Sequence, residues 1–301
     1  MGFIKDALEI DPREASEKIE KLIRDTLRDL YGKKGAVIGL SGGLDSAVSA
    51  ALAVRAIGPK RVTGILLPEN DSSPKSREYG LKLADSLDID CLEVDIAGIL
   101  EKFGVYRKQN AVVEKVFPDI QKPYKFRLIL PQNLLEKKRL NVYSLEVLLD
   151  DGTTRKERLS HDDYLEFMAA NDIKQRVRMV QLYYEAERRH YIVCGTTNKS
   201  ETLQGFFVKY GDGGVDIEPL AHLYKVQVFK LGEYLGIPEE ILSRTPSPDT
   251  YSYEVSDKDF FFCLSYDVAD TILYAIEHNI PSEEVADELN LTTDQVERAR
   301  V

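Results

Sequence analysis

The segment 39–46, with the sequence GLSGGLDS, contains residue types that could bind a phosphorylated ligand. It joins an apolar run at 36–40 to a helix-like stretch at 47–57, so its small residues lead into a helix N-terminus. Backbone N–H groups and hydroxyls at such a position can face and bind phosphate groups. The loop lacks the Lys and the spacing of GxxxxGK[ST], which argues against a phosphate loop of the kinase or GTPase type.

Asp45 is the unusual member of this loop. A carboxylate in a phosphate-binding loop repels its ligand unless a cation lies between the two, so charge logic predicts a magnesium ligand. The alternative interpretation is a glycine turn with a capping Asp. The length of the motif favours the phosphate site.

Apolar runs and helix-like stretches alternate along the chain around this loop. Asp11 and Pro12 predict the start of a helix that ends near Gly32. Loops that follow parallel strands lie at one edge of the sheet, so residues 41–45 and 195–201 could form a single site. The pattern predicts a parallel α/β sheet with strands at 36–40, 62–67, 91–96 and 191–194 and helices at 47–57 and 74–87.

The pattern changes between about 104 and 160, where residues 125–130, 141–149 and 153–159 read as strands. Residues 150–152, Asp-Asp-Gly, make a good hairpin turn. We interpret residues 1–301 as a single domain with a β-rich insert at about 104–160 and a helical C-terminal region. For the insert, we favour a role in covering the domain or a subunit interface over a direct catalytic role.

Composition limits the partners and the compartment. The 301 residues, 43% of them hydrophobic, can bury one substantial core. A net charge of -11, from 40 basic and 51 acidic residues, disfavours nucleic acid as a partner. No apolar run approaches the roughly 20 residues of a membrane span, so no membrane partner is expected. Cys91, Cys194 and Cys263 form no CxxC pair, which fits a cytoplasmic protein without a disulfide framework.

Two motifs together resemble a known family. Residues 41–46, SGGLDS, match the SGGxDS signature of the PP-loop ATP pyrophosphatases. Residues 195–201, GTTNKSE, followed by GFFVKYGDGG at 205–214 and LYK at 223–225, are similar to the ammonia-dependent NAD synthetases. The resemblance covers about 19–96 and 171–247. It implies a three-layer, Rossmann-like α/β fold with a parallel sheet, of the adenine nucleotide alpha hydrolase type.

The resemblance also implies roles for individual residues. Asp45 and Glu201 would coordinate Mg²⁺, while Asp45, Lys225 and Asp212 would serve catalysis, with Asp212 near the ammonia site. A Lys can stabilise the charge that grows on the α phosphate, and an acid can accept a proton from ammonium. The residues that would bind deamido-NAD are Arg176, Lys209 and Asp216. The residues that would bind ATP are Gly39, Leu40, Ser41, Gly42, Gly43, Leu44, Asp45, Ser46, Thr196, Lys225 and Ser247.

The function implied is the amidation of deamido-NAD by ammonia to give NAD, through an acyl adenylate, with release of AMP and pyrophosphate. The family forms homodimers, and the same is expected here. Only about 40 residues precede the ATP loop, too few for a glutaminase domain, so free ammonia or a separate donor protein is expected.

The main alternative keeps this chemistry and changes the carboxylic acid. The insert replaces a short link of the family, and residues 248–253, PDTYSY, depart from the acidic stretch expected after Ser247. The chain also ends at Val301 without the basic tail of the family.

Two further alternatives belong to different functional classes. Residues 282–296 resemble a helix-turn-helix, a unit that can bind DNA. Its second segment carries Asp294 and Glu297, with Arg298 and Arg300 as its only bases, so a packing role is favoured. The other alternative is a sensor that binds ATP without turning it over. Such a sensor would have little need for both Asp45 and Glu201.

Overall fold

The computed structural model describes residues 6–132, 134–136 and 141–300, and its central element is a parallel sheet. Within these residues four strands pair in the order β3-β2-β1-β7, with every pairing parallel. This confirms the α/β class and the parallel sheet that the sequence predicts. The strands of the sheet are β1 (Ala36–Gly39), β2 (Val62–Leu66), β3 (Asp90–Glu93) and β7 (Ile192–Val193).

Helices cover both faces of this sheet. Alternate residues of a strand point to opposite faces, and Ile38 packs in one apolar cluster while its neighbour Val37 packs in another. Burial on both faces produces three layers, as expected. The helices are α1 (Pro12–Asp25), α2 (Leu44–Ile57), α3 (Pro74–Ser86), α4 (Ala97–Lys102), α5 (Val105–Val116), α6 (His161–Arg189), α7 (Lys199–Gln204), α8 (Lys225–Leu235), α9 (Glu239–Leu242), α10 (Tyr266–Glu277), α11 (Ser282–Leu289) and α12 (Thr293–Ala299).

The helix starts follow from local chemistry. Asp11 accepts hydrogen bonds from the backbone N–H groups of Arg13 and Glu14, and Pro12 occupies the first turn of α1, as the sequence predicts. After Asp25 the chain continues as a π-helical turn to Leu30, close to the predicted end. Helix α2 begins earlier than predicted, at Leu44, so its first turn belongs to the phosphate loop itself.

The segment 104–160 begins with a helix, α5, which the sequence pattern did not indicate. Residues 133 and 137–140 of this segment lie outside the described residues. The predicted strands follow as an antiparallel sheet in the order β4-β5-β6, and the turn between β5 and β6 is confirmed, with Gly152 at φ +84°. The strands are β4 (Tyr124–Ile129), β5 (Ser144–Leu149) and β6 (Thr154–Arg158).

The small sheet packs on the long helix α6 and on the chain after residue 250. Phe126, Val147 and Phe167 share one apolar cluster with Tyr251 and Phe260. The ring centroids of Phe126 and Phe167 lie 5.5 Å apart, edge to face. The insert therefore covers the N-terminal part of α6 and fixes the segment that follows Ser247.

The C-terminal region is helical, as expected. Val285 and Val296, from α11 and α12, are buried against Ile272 of α10, so the apolar face of the helix pair is used in packing. Asn290 turns the chain between the two helices at φ +54°. Across the ranges that the structure describes, no helix combines the length and apolar character of a membrane span.

Candidate active site

The loop between β1 and α2 has the geometry of a phosphate site. Gly42 lies at φ +69°, and a Cβ at this position would meet the carbonyl oxygen of Ser76 at 2.5 Å, so both conformation and space require glycine. The hydroxyls of Ser41 and Ser46 lie 3.1 Å apart, and Ser46 donates to the carbonyl of Gly43 at 2.9 Å. The loop thereby holds the positive end of α2 open to an anion.

Asp45 meets the second motif across the edge of the sheet. Its Oδ1 accepts a hydrogen bond of 3.1 Å from the side-chain amide of Asn198, and its Oδ2 bonds to the ammonium group of Lys225. Asn198 also caps α7, accepting from the N–H of Glu201 at 3.0 Å while Glu201 accepts from the N–H of Asn198 at 3.1 Å. One capping box therefore orients both carboxylates that the sequence assigns to a cation.

Burial strengthens the electrostatic interactions of Lys225 with the neighbouring carboxylates. Only 2% of the Lys225 side chain is exposed. Desolvation alone would lower the pKa of Lys225, but the carboxylates of Asp45, Glu201 and Asp257 raise it above its ordinary value. Desolvation and then the charge of Asp45 raise the pKa of Glu201. Three carboxyl groups thus act on one ammonium group, and a further cation would relieve the repulsion between their charged forms.

The C-terminal helices fix the backbone that carries Lys225. Buried Asp270 of α10 accepts from the hydroxyl of Ser200 at 2.5 Å and from the N–H of Val226 at 3.0 Å. Ser200 in turn accepts from the N–H of Lys225 at 2.9 Å. This network joins the starts of α7 and α8, so it holds Glu201 and Lys225 in register. Ser200 lies within the motif at 195–201, but the sequence indicated no role for it or for Asp270.

A cavity of about 470 Å³ brings these elements together. Its wall is formed by residues of α6, the phosphate loop, the 194–197 segment, the 205–212 loop and the chain from 244 to 261. Such a volume suits a small-molecule site. The predicted site residues in its wall are Gly39, Leu40, Ser41, Gly43, Leu44, Asp45, Ser46, Thr196, Glu201, Asp212, Lys225 and Ser247.

Asp212 lies in the loop that closes part of this wall. Its Oδ1 accepts from the N–H of Val208 at 2.7 Å, which shapes the glycine-rich turn. The surrounding protein raises the pKa of Asp212. A carboxyl group of this kind is a better proton acceptor than a fully solvated one.

The three residues assigned to deamido-NAD lie away from the lining of the cavity. Arg176 Nε donates to the carbonyl of Lys209 at 3.3 Å, which places these two residues side by side. Asp216 accepts from Tyr183 Oη at 3.1 Å and from the N–H of Val193 at 2.8 Å. Their roles in substrate binding remain predictions.

Several residues of the site escaped the sequence analysis. Arg244 donates to the carbonyl of Gly42 at 3.1 Å and to Ser76 Oγ at 2.8 Å, so it clamps the phosphate loop. Arg178 and Asp257 also line the cavity, and so does Tyr143 from the insert. Arg178 stands in the segment 173–179, with the sequence IKQRVRM, inside the range 171–247 that the resemblance covers, so this segment could have indicated it. Tyr143 carries no comparable motif.

Aromatic side chains also line the cavity. Tyr143 stacks on Tyr164 of α6 with ring centroids 4.8 Å apart and an interplanar angle of 13°. Phe206 stacks on Phe261 at 4.6 Å and 26°. Flat apolar surfaces of this kind suit a planar ring.

A buried charge cluster supports a further wall of the cavity. The ammonium group of Lys174 lies 2.6 Å from Asp71 Oδ2 and 3.1 Å from Glu69 Oε1, and it donates to the carbonyl of Thr250 at 2.8 Å. Tyr106 Oη donates to Glu69 at 2.8 Å. Lys174 therefore ties the loop after β2 to the chain after Ser247.

A three-layer α/β domain with an SGGxDS loop at the edge of its sheet, next to a half-buried pair of carboxylates and a buried Lys, defines a nucleotide-binding enzyme of the PP-loop type. The family model described as NAD synthase matches residues 15–122 and 131–300. An NH(3)-dependent NAD(+) synthetase of Rhizobium meliloti (strain 1021) is 41% identical over 296 residues, covering 98% of this chain and 88% of the relative. The chain belongs to the NAD synthase family, and the resemblance stated from its motifs is confirmed.

Solved structures are similar in fold. An NMN synthetase from Francisella tularensis has a TM-score of 0.63 and 26% identity, covering 97% of each chain. An NH3-dependent NAD synthetase from Campylobacter jejuni subsp. jejuni NCTC 11168 has a TM-score of 0.62 at 23% identity, covering 97% of this chain and 93% of that one. The second likeness supports the fold alone.

Proposed function

We propose that this chain catalyses the ATP-dependent amidation of deamido-NAD by ammonia, through an acyl adenylate, with NAD, AMP and pyrophosphate as products. The observation that carries the proposal is one cavity in which Asp45, Glu201 and Lys225 lie beside the phosphate loop. Membership of the NAD synthase family and a relative named as an ammonia-dependent synthetase supply the substrates. No specific observation favours the alternative of a different acid.

In the first step, a carboxylate oxygen of deamido-NAD attacks the α phosphorus of ATP. The bond from that phosphorus to the bridging oxygen breaks, and pyrophosphate leaves with the electron pair. Loop 41–46 and the start of α2 hold the phosphates, while Lys225 stabilises the charge that develops on the α phosphate. Arg244 keeps the loop in shape through its bond to the carbonyl of Gly42.

In the second step, ammonia attacks the carbonyl carbon of the adenylate, and AMP leaves with the electrons of the carbon–oxygen bond. Ammonium must lose a proton before it can attack, and a further proton leaves the nitrogen as the amide forms. We assign the first proton to Asp212, whose carboxyl lines the cavity. Desolvation by the surrounding protein raises the pKa of this carboxyl, although the residue is partly open to solvent, and brings the group closer to the basicity required.

Asp45 and Glu201 suit magnesium by their chemistry. Both are hard oxygen donors beside a phosphate loop. The part of the chain described by the structure contains no group of three or more His, Cys, Asp or Glu residues arranged to hold a metal. Asp45 and Glu201 are the residues that would hold the ion. When bound, magnesium would neutralise the charge of the departing pyrophosphate.

We further propose a homodimer that operates in the cytoplasm. Helix α6 leaves two large apolar side chains open one turn apart, with Val180 exposed at 62% and Tyr184 at 59%. A second copy of the chain would cover them. Arg176, Lys209 and Asp216 are assigned to the deamido-NAD that such an assembly binds. The widely spaced cysteines fit a reducing compartment.

The test is a coupled assay of pyrophosphate release with ATP, magnesium and ammonium. Deamido-NAD, nicotinate mononucleotide and no acid are compared, and NAD is measured directly. We expect release that requires deamido-NAD and yields equal amounts of NAD. Asp45→Asn should abolish it, whereas Asp29→Asn at an exposed position should not. Release with another acid alone would change the substrate, and no release with any acid would sink the proposal.

A further inference from the structure

Two groups compete for the carboxylate of Asp45. In the structure its Oδ2 bonds to the ammonium group of Lys225. The proposed function gives the same carboxylate to a divalent cation. Lys225 is buried, and a buried ammonium group without a counter-ion is strongly destabilised. Occupation of Asp45 by a cation therefore leaves Lys225 in need of an acceptor on the protein, in addition to the α phosphate that it is proposed to stabilise.

Asp257 has the properties of that acceptor. It is buried and lines the same cavity as Asp45 and Lys225. Its Oδ2 accepts from Tyr266 Oη at 2.8 Å, while its Oδ1 has no hydrogen-bond partner among the residues described. A buried carboxylate oxygen left without a donor is unusual and costly. The oxygen is thus available for a donor that arrives during function.

The position of Tyr266 places Asp257 near Lys225. The Lys225 ammonium lies 5.3 Å from the centroid of the Tyr266 ring, and the hydroxyl of that ring bonds to Asp257. The N–H of Asp257 donates to the carbonyl of Pro246 at 2.9 Å, which fixes the backbone of this segment. A change in the side-chain torsion angles of Lys225, without movement of the backbone, could therefore move its ammonium group from Asp45 to Asp257.

Glu201 is the other carboxylate whose charge acts on Lys225. It is held in the capping box by the N–H of Asn198 and is assigned to the same cation as Asp45. Asp257 is neither held in that capping box nor assigned to the cation. We propose that Asp257 is the second acceptor of the Lys225 ammonium group, which it receives when a divalent cation occupies Asp45. Asp257 is then a positioning residue, since it keeps the charge of Lys225 in place while Asp45 binds the ion.

A double-mutant cycle separates this exchange from simple attraction between Asp257 and the cation. The four proteins are wild type, Asp257→Asn, Lys225→Met and the double variant. Each is titrated calorimetrically with the α,β-methylene analogue of ATP, once with magnesium and once with EDTA. We expect Asp257→Asn to weaken the magnesium-dependent binding about tenfold in the wild-type background. In the Lys225→Met background, the change should be less than about twofold, because no ammonium group remains to be transferred.

Equal weakening in both backgrounds would overturn the exchange, since Asp257 would then act on the cation directly. An absence of weakening in both would overturn it as well. Thermal unfolding of each variant checks folding. Tyr266→Phe, which keeps the ring and the charge of Asp257, replaces Asp257→Asn in the cycle if that variant does not fold, and its smaller weakening should also disappear with Lys225→Met.

The inference rests on the proposed cation site, and one comparison keeps the two apart. Magnesium should tighten binding of the analogue to wild type, and Asp45→Asn should remove that effect. If magnesium has no effect, or if its effect survives Asp45→Asn, the cation site of the proposed function fails. If that comparison succeeds while the cycle shows equal weakening, only the exchange fails.

Discussion

Replacement of Glu218 by Gln should stabilise the protein at high pH and leave it almost unchanged at low pH. Burial raises the pKa of Glu218 to about 7, although its Oε2 accepts a hydrogen bond of 3.0 Å from the N–H of Thr197. The folded protein therefore binds this proton more tightly than the unfolded chain does. Stability from this group is complete below pH 4.5 and is lost as the pH rises through 7.

The size of the effect follows from the two pKa values. Each pH unit between the ordinary value of 4.5 and the folded value of about 7 corresponds to about 1.4 kcal/mol, an upper bound of about 3 kcal/mol at pH 8. Because the carboxyl keeps some contact with solvent, we expect about 2 kcal/mol. Gln retains the acceptor oxygen for Thr197 and removes the ionisation.

Urea unfolding of wild type and Glu218→Gln at several pH values between 5 and 8 measures this difference. The two free energies of unfolding should converge near pH 5 and separate by about 2 kcal/mol at pH 8. Glu233→Gln, at an exposed position, is the matched control and should run parallel to wild type. Parallel curves for Glu218→Gln would refute the reasoning, because they would mean that this carboxyl titrates alike in both states.

Three further substitutions test other parts of the site. Gly42→Ala should weaken ATP binding at least about tenfold in calorimetry, because its Cβ meets the Ser76 carbonyl, while Gly32→Ala, at φ +59° with no atom nearby, should not. Lys174→Met should lower the free energy of unfolding by about 3–5 kcal/mol in urea, since it leaves two buried carboxylates without a cation, and a loss below about 1 kcal/mol would contradict that reason. Tyr143→Ala should raise the KM for deamido-NAD about fivefold without changing the KM for ATP, because it removes the stacked ring. Tyr143→Phe, which keeps the ring, should leave both KM values unchanged. An equal rise for both substrates in Tyr143→Ala would exclude a specific aromatic contact.

The sequence predicted the parts of the site that depend on local chemistry. Loop 39–46 has its own turn residues and helix start, and Asn198 and Glu201 form a capping box within four residues. Because parallel strands end at one edge of a sheet, the meeting of Asp45 with residues 195–201 also followed from the order of elements. These inferences needed only short-range patterns and a rule of topology.

Other contributors could not be inferred in this way. Asp270 and Asp257 reach the site from the helical region that follows the sheet, and no periodicity in the sequence relates them to Lys225. Helix α5 was not predicted because the segment 104–160 was expected to be β-rich, although Val105, Val112 and Val113 are buried on one face of this helix. Long-range packing placed these elements, and a single sequence carries little information on such contacts.

The insert and the chain after Ser247 form one structural feature. The N–H of Phe126 donates to Ser252 Oγ at 3.0 Å, and the N–H of Tyr253 donates back to the carbonyl of Phe126 at 3.1 Å. The N–H of Leu130 donates to the carbonyl of Asp259 at 2.8 Å.

The segment held in this way carries Asp257, Phe260 and Phe261, which line the cavity. Removal of either region would leave backbone groups of the other, strand β4 among them, without these hydrogen-bond partners. The insert therefore acts on the active site through the segment that it supports, as well as through Tyr143.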